Sequence, residues 1–135
     1  MNTSGPLRVL YVEDDRINAL LFSEALREQP GIELRIAEDG AEALALAAAW
    51  QPGLLVLDAH LPDTTGHALL AKLRALPGLA GVPAAMFTAE HSDASRAQAR
   101  DAGFDSYWCK PVESAHLRGL LTQLAQGRPA GSLAG

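Results

Sequence analysis

Leu54-Leu55-Val56-Leu57-Asp58, residues 54–58, sets four apolar side chains in a row and closes them with a carboxylate. A strand with one wet face alternates apolar and polar residues. A run with no polar position is covered on both faces, as in parallel sheets sandwiched between helices. Two more runs are nearly as apolar: Leu7 to Val12 leads into Glu13-Asp14-Asp15, and Val82 to Phe87 leads into Thr88. Ile32 to Ala37 and Ser106 to Cys109 are more polar and fit sheet edges.

Helical stretches separate these runs, over Arg16 to Glu28, Ala41 to Trp50, Gly66 to Leu76, Ser92 to Ala102 and Glu113 to Ala125. Asp39 or Gly40, Thr64 or Thr65, and Ser92 are expected to open the second, third and fourth, and Pro52, Pro77 and Gly103 to close them. The order is (βα)5. Right-handed crossovers then make an α/β, doubly wound, five-stranded parallel sheet of flavodoxin-like type, in the order 2-1-3-4-5. The expected domain runs over 7–126, with flexible flanks at 1–6 and 127–135.

Composition narrows the function. The 135 residues hold one Cys, so a disulfide scaffold is excluded. The longest apolar run, Ala43 to Trp50, is far below the roughly 18 residues needed to cross a bilayer. A cytoplasmic location away from membranes is expected. Eleven Lys and Arg against 16 Asp and Glu give a net charge of −5, which disfavours direct binding to nucleic acid.

Ligands of such sheets bind at the carboxyl ends of the strands. Here those ends carry Glu13-Asp14-Asp15, Asp58, Thr88 and Lys110-Pro111, which the strand order brings to one pocket. Clustered carboxylates repel unless a cation sits among them. Few carboxylates, with room for waters and a phosphate, suit Mg2+ (or Mn2+) better than Ca2+. Thr88 and Lys110 add a hydroxyl and an ammonium, which a phosphoryl group in transfer requires. Asp58, central in the pocket, is the candidate nucleophile for an acyl phosphate.

The segments Leu10-Tyr11-Val12-Glu13-Asp14-Asp15, Leu54 to Asp58, Leu61-Pro62 with Gly66, Phe87-Thr88-Ala89, Ala102-Gly103-Phe104-Asp105, and Tyr107 with Lys110-Pro111 resemble those of response-regulator receiver domains, from Leu7 to about Leu124. The resemblance implies that Asp58 accepts a phosphoryl group from the phosphohistidine of a sensor histidine kinase or phosphotransfer protein. It implies Mg2+ bound by Asp14, Asp58 and the backbone carbonyl of His60, with Glu13 acting through water and Asp15 beside the pocket. It further implies Thr88, Ala89, Lys110 and Tyr107 as the phosphoryl-binding and switch group, with Thr88 and Tyr107 rearranging together. A cis bond at Pro111 is implied, as is an output surface of the fourth helix, fifth strand and fifth helix. The resemblance also implies that His60 and Glu90 occupy positions that tune phosphoryl arrival and hydrolysis. Such a protein catalyses its own phosphorylation and dephosphorylation as a switch, and is not an enzyme with a separate substrate.

Simpler readings compete. An acidic run is commonly a helix N-terminus, His60, His67, His91 and His116 lack metal spacing and read as surface or loop residues, and Cys109 reads as a small apolar filler. A degenerate, phosphorylation-independent binding module would have lost an acid, the threonine or the lysine. A haloacid-dehalogenase-type hydrolase needs an acid two residues past its nucleophile, where His60 stands. A flavin or nucleotide carrier needs a phosphate loop where Glu13-Asp14-Asp15 lies. On the first helix, Leu21, Phe22, Ala25 and Leu26 are expected to face the core, leaving Ile17 and Leu20 on a flank suited to docking a kinase helical bundle. Trp108 is larger, and Ala84 and Ala85 smaller, than the resemblance leads one to expect, so compensating core volumes are expected.

Overall fold

The structure is a computed structural model and describes residues 6–27 and 29–125. Residues 1–5 of the expected flank over 1–6, position 28, residue 126 at the end of the expected domain and the expected tail over 127–135 lie outside the described residues. Ten elements alternate: β1 (Leu7–Val12), α1 (Arg16–Leu26), β2 (Ile32–Ala37), α2 (Gly40–Trp50), β3 (Leu54–Leu57), α3 (Gly66–Arg74), β4 (Ala84–Thr88), α4 (Asp93–Ala102), β5 (Ser106–Cys109) and α5 (Ser114–Ala125). All strand pairs are parallel, in the order β2-β1-β3-β4-β5. The polar runs are the edges, as expected, and Leu54 to Leu57 lies at the centre, fully buried.

The period-2 alternation of strands sorts the core into two layers. Leu10, Val12, Leu55, Leu57, Ala84, Met86 and Tyr107 pack under α2, α3 and α4. Val9, Tyr11, Leu54, Val56, Ala85, Phe87 and Trp108 pack under α1 and α5. Trp108 meets Phe87 edge-on at 6.0 Å between ring centres and shares its layer with Ala85. Ala84 faces the opposite layer, so only Ala85 fits the expected exchange of volume with Trp108.

Asp39, Thr65 and Ser92 cap α2, α3 and α4, each through its side-chain oxygen, and Gly103 closes α4 in the left-handed region at φ 102°. Some boundaries differ from expectation. β4 starts at Ala84 because Pro83 has no N–H for a ladder, while Val82 N–H donates back to Leu79 O in a turn. α3 stops at Arg74, since Ala75 and Leu76 donate to carbonyls three residues back and tighten the last turn ahead of Pro77. α1 stops at Leu26, with Arg27 N–H turning back to Glu24 O.

Leu21 is corrected. It is 60% exposed rather than in the core, and stands beside Ile17 at 70% and Leu20 at 60%. The core stripe of α1 is narrower than a generous helical projection allows, because only Phe22, Ala25 and Leu26 reach the sheet. His67 is also corrected. It is half-buried on α3, edge-on to Phe104, and its Nε2 is enclosed without a hydrogen-bond partner. The helix turns the ring inward against the chain that follows α4, whereas His60, His91 and His116 are exposed as expected.

Candidate functional site

β1 and β3 are hydrogen-bonded neighbours in register Val12↔Leu57, so the residues that follow them emerge side by side. Asp58 N–H donates to Val12 O and Glu13 N–H to Ala37 O, fixing both acids to the ends of the ladder. Glu13, Asp14 and Asp58 each offer a carboxylate oxygen, and these oxygens lie within 4.8 Å of one another. Glu13 is buried at 2% exposure, Asp58 is half-buried and Asp14 is exposed. The set therefore grades from a closed floor to an open mouth.

Lys110 arrives from the end of β5. Its Nζ donates to Glu13 Oε1 at 2.5 Å and to Asp58 Oδ2 at 3.3 Å, and the Lys110–Pro111 bond is cis. Tyr11 OH donates to the same Glu13 Oε1 at 2.7 Å, and Asp15 N–H to Oε2 at 3.2 Å. Burial nevertheless pushes the Glu13 carboxyl above its usual range, against the pull of Lys110 and Tyr11. Burial, reinforced by the adjacent Glu13, pushes the Tyr11 hydroxyl well up, so it remains a donor. Asp15 caps α1, accepting from Ile17 N–H at 2.8 Å and Asn18 N–H at 3.4 Å, which keeps it beside the pocket.

Thr88, 2% exposed, ends β4, and its Oγ1 accepts from Glu90 N–H at 3.3 Å; Ala89 follows at the exposed rim. Tyr107 is buried, and its hydroxyl contacts Ser95 Oγ at 2.6 Å and Glu90 O at 3.0 Å. The Arg96 guanidinium lies 4.8 Å from the centre of its ring. Desolvation raises the Tyr107 hydroxyl above its ordinary value. His60 and Glu90, the two positions the resemblance implies as rate-tuning, meet: Nε2 and Oε1 are 3.3 Å apart. Cys109 packs partly against the core, and its Sγ lies 3.7 Å from Arg96 Nη2 and 3.5 Å from Glu90 O.

The loop carrying His60 is tied down at several points. His60 bridges to Thr65, Leu61 N–H donates to Thr64 O, and Gly66 N–H donates to Ala59 O. A Cβ at Gly66 would sit 2.4 Å from Asp58 O, so only glycine lets α3 start this close to the acid. Asp63 accepts from Gly40 N–H at 2.8 Å and Ala41 N–H at 3.0 Å, pinning the loop to the start of α2.

Sequence reasoning missed Tyr11, Asp63 and Ser95. Tyr11 carried a signal, since it stands two residues before Glu13 and so on the same side of an extended chain. Asp63 and Ser95 carried none, because their partners are 23 and 12 residues away in the chain.

Hard oxygen donors in a group of three, with an ammonium alongside, fit a small divalent cation and a phosphoryl group. Among the described residues, no helix is long and apolar enough to cross a membrane. The chain matches the response regulator receiver domain over residues 9–122. It is 39% identical over 116 residues to the probable transcriptional regulatory protein TcrX of Mycobacterium tuberculosis, a match covering 84% of this chain and 48% of that one. The chain thus spans about half the length of this and several other curated relatives. Its fold is similar to the chemotaxis response regulator CheY4 of Vibrio cholerae, with a TM-score of 0.82 and 26% identity over 88% of this chain and 98% of that one. It is also similar to the receiver domain of sensor histidine kinase PA1611 from Pseudomonas aeruginosa, whose structure has a magnesium ion in the active site cleft, with a TM-score of 0.80 and 25% identity over 90% of this chain and 99% of that one. A doubly wound sheet whose β1, β3, β4 and β5 ends supply the acids, the threonine and the lysine, together with a match across most of the chain, places this protein in the response regulator receiver domain family of two-component signalling.

Proposed function

We propose that Asp58 accepts a phosphoryl group from a phosphohistidine and that the chain acts as a phosphorylation switch. The observation that carries this reading is the placement of Lys110 Nζ against both Glu13 and Asp58, with the three carboxylates within 4.8 Å. The ionised Asp58 carboxylate attacks phosphorus. An O–P bond forms, the N–P bond breaks, and the imidazole leaves with the electron pair. Lys110 pairs with the phosphoryl oxygens and Thr88 supplies a hydroxyl to them. Asp14, Asp58 and the His60 carbonyl, with Glu13 through water, would hold Mg2+, which supplies charge neutralisation at the transferring oxygens. The adduct is an acyl phosphate. Hydroxylamine should therefore release phosphate from the phosphorylated wild type and leave a hydroxamate on Asp58.

The phosphodonor is proposed to dock on α1. Ile17, Leu20 and Leu21 are exposed, and Leu21 borders a shallow apolar pocket of about 50 Å3 whose lining also includes Phe22, Val112 and Lys110. An apolar patch at the rim of the acceptor pocket suits the helices that present a phosphohistidine. Replacing Ile17 and Leu20 with Ser should slow transfer from the kinase and leave phosphorylation by acetyl phosphate unchanged. Equal loss in both assays would remove the docking role. Output through α4, β5 and α5 would follow from Tyr107, whose ring ties β5 to α4 through Ser95. The net charge of −5 supports a protein partner over nucleic acid for this domain.

A further inference from the structure

We propose that Tyr11 is a positioning residue for the metal site, its hydroxyl holding the Glu13 carboxylate in place for the cation. The proposal rests on the Mg2+ reading above. Tyr11 sits at 0% exposure in the layer beneath α1, with its ring stacked on Phe22 at 4.0 Å. Packing therefore fixes the ring on both sides and leaves the hydroxyl one direction, out of the apolar layer toward the strand end. There it donates to Glu13 Oε1 at 2.7 Å.

Glu13 has three donors among the described residues. Tyr11 and Lys110 share Oε1, and Asp15 N–H reaches Oε2. A carboxylate has about four acceptor sites, so these donors leave Glu13 capacity for a further partner, and one of its oxygens lies within 4.8 Å of carboxylate oxygens of Asp14 and Asp58. The donors differ in permanence. Lys110 is divided between Glu13 and Asp58, and is the group that an arriving phosphoryl dianion draws away. Asp15 N–H is long at 3.2 Å. Among the described residues Tyr11 has no second acceptor to draw it off, so it keeps Glu13 oriented when Lys110 turns to the phosphoryl group. An outer group of this kind orients a metal-site carboxylate without touching the ion.

Tyr11→Phe removes one oxygen and keeps the ring, the stacking and the fold. The experiment is calorimetric titration with Mg2+ of the wild type, Tyr11→Phe, Glu13→Gln and the double variant. Tyr11→Phe should bind Mg2+ about tenfold more weakly than the wild type, the low end of what outer-sphere partners contribute. Adding Tyr11→Phe to Glu13→Gln should cost nothing further, because the hydroxyl acts through that carboxylate. Affinity within twofold of the wild type, or an equal loss in the Glu13→Gln background, would overturn the proposal. A wild type that binds no Mg2+ would overturn the metal reading itself, and this proposal with it. The same coupling is readable without a Tyr11 variant. The chain has two tyrosines, and in ζ-13C-tyrosine protein the Tyr11 signal should move with Mg2+ in the wild type and stay still in Glu13→Gln. A Tyr11 signal indifferent to Mg2+ in the wild type would contradict it.

Discussion

Asp58→Asn should have opposite consequences with and without Mg2+. Asp58 faces two acids whose carboxylate oxygens lie within 4.8 Å, and one ammonium at 3.3 Å. At an effective dielectric near 20, each like-charge pair at that spacing repels by about 3.5 kcal/mol, and the attraction to Lys110 is about 5 kcal/mol. Neutralising Asp58 thus relieves about 2 kcal/mol. Exposure of Asp14 to water reduces this to about 1 kcal/mol. For a domain this size that is a rise in Tm of about 3–5 °C, measured in EDTA by circular dichroism. In saturating Mg2+ the wild type gains stability by mass action and the variant, short of one ligand, gains far less. The two curves should therefore cross as Mg2+ is added. An Asp58→Asn protein less stable than the wild type in EDTA, or an equal Mg2+ shift in both, would refute the charge accounting.

Three further outcomes follow from single contacts. Gly66→Ala drives a methyl group into Asp58 O and should cost at least about 2 kcal/mol in a denaturant melt while slowing phosphorylation by acetyl phosphate. Backbone bonds from Gly40 and Ala41 hold the Asp63 carboxyl below its usual 3.8. Since its folded value is the lower one, its stabilisation is complete above 3.8 and is lost as pH falls through the folded value, so Asp63→Asn should flatten the acid limb of a stability–pH curve and leave the neutral limb parallel. Ser95→Ala deletes the 2.6 Å contact with Tyr107 OH but leaves Glu90 O, and should cost about 1 kcal/mol while speeding exchange of the Tyr107 ring in NMR relaxation dispersion.

The fold was legible because its signals are local or periodic. Apolar runs without alternation marked the covered strands, and Asp39, Thr65, Ser92 and Gly103 marked helix ends through side chains acting on their own neighbourhood. The acids, Thr88 and Lys110 were legible because strand ends converge whatever the packing. What stayed hidden depends on tertiary geometry. Leu21 sits at the border of its helical stripe, where a small rotation of α1 decides between core and water. Pro83 shortened a strand that hydropathy extended to Val82. The Asp63 bond to α2 and the His60–Glu90 contact join loops 23 and 30 residues apart, a distance over which no pattern in one sequence speaks.

The most direct measurement is intact mass after incubation with acetyl phosphate, with and without Mg2+, on the wild type and Asp58→Ala. One phosphoryl adduct, present only with Mg2+ and absent from Asp58→Ala, is the predicted result. An adduct that persists in Asp58→Ala would contradict the assignment of the acceptor, and an adduct formed equally well in EDTA would contradict the role given to the three carboxylates.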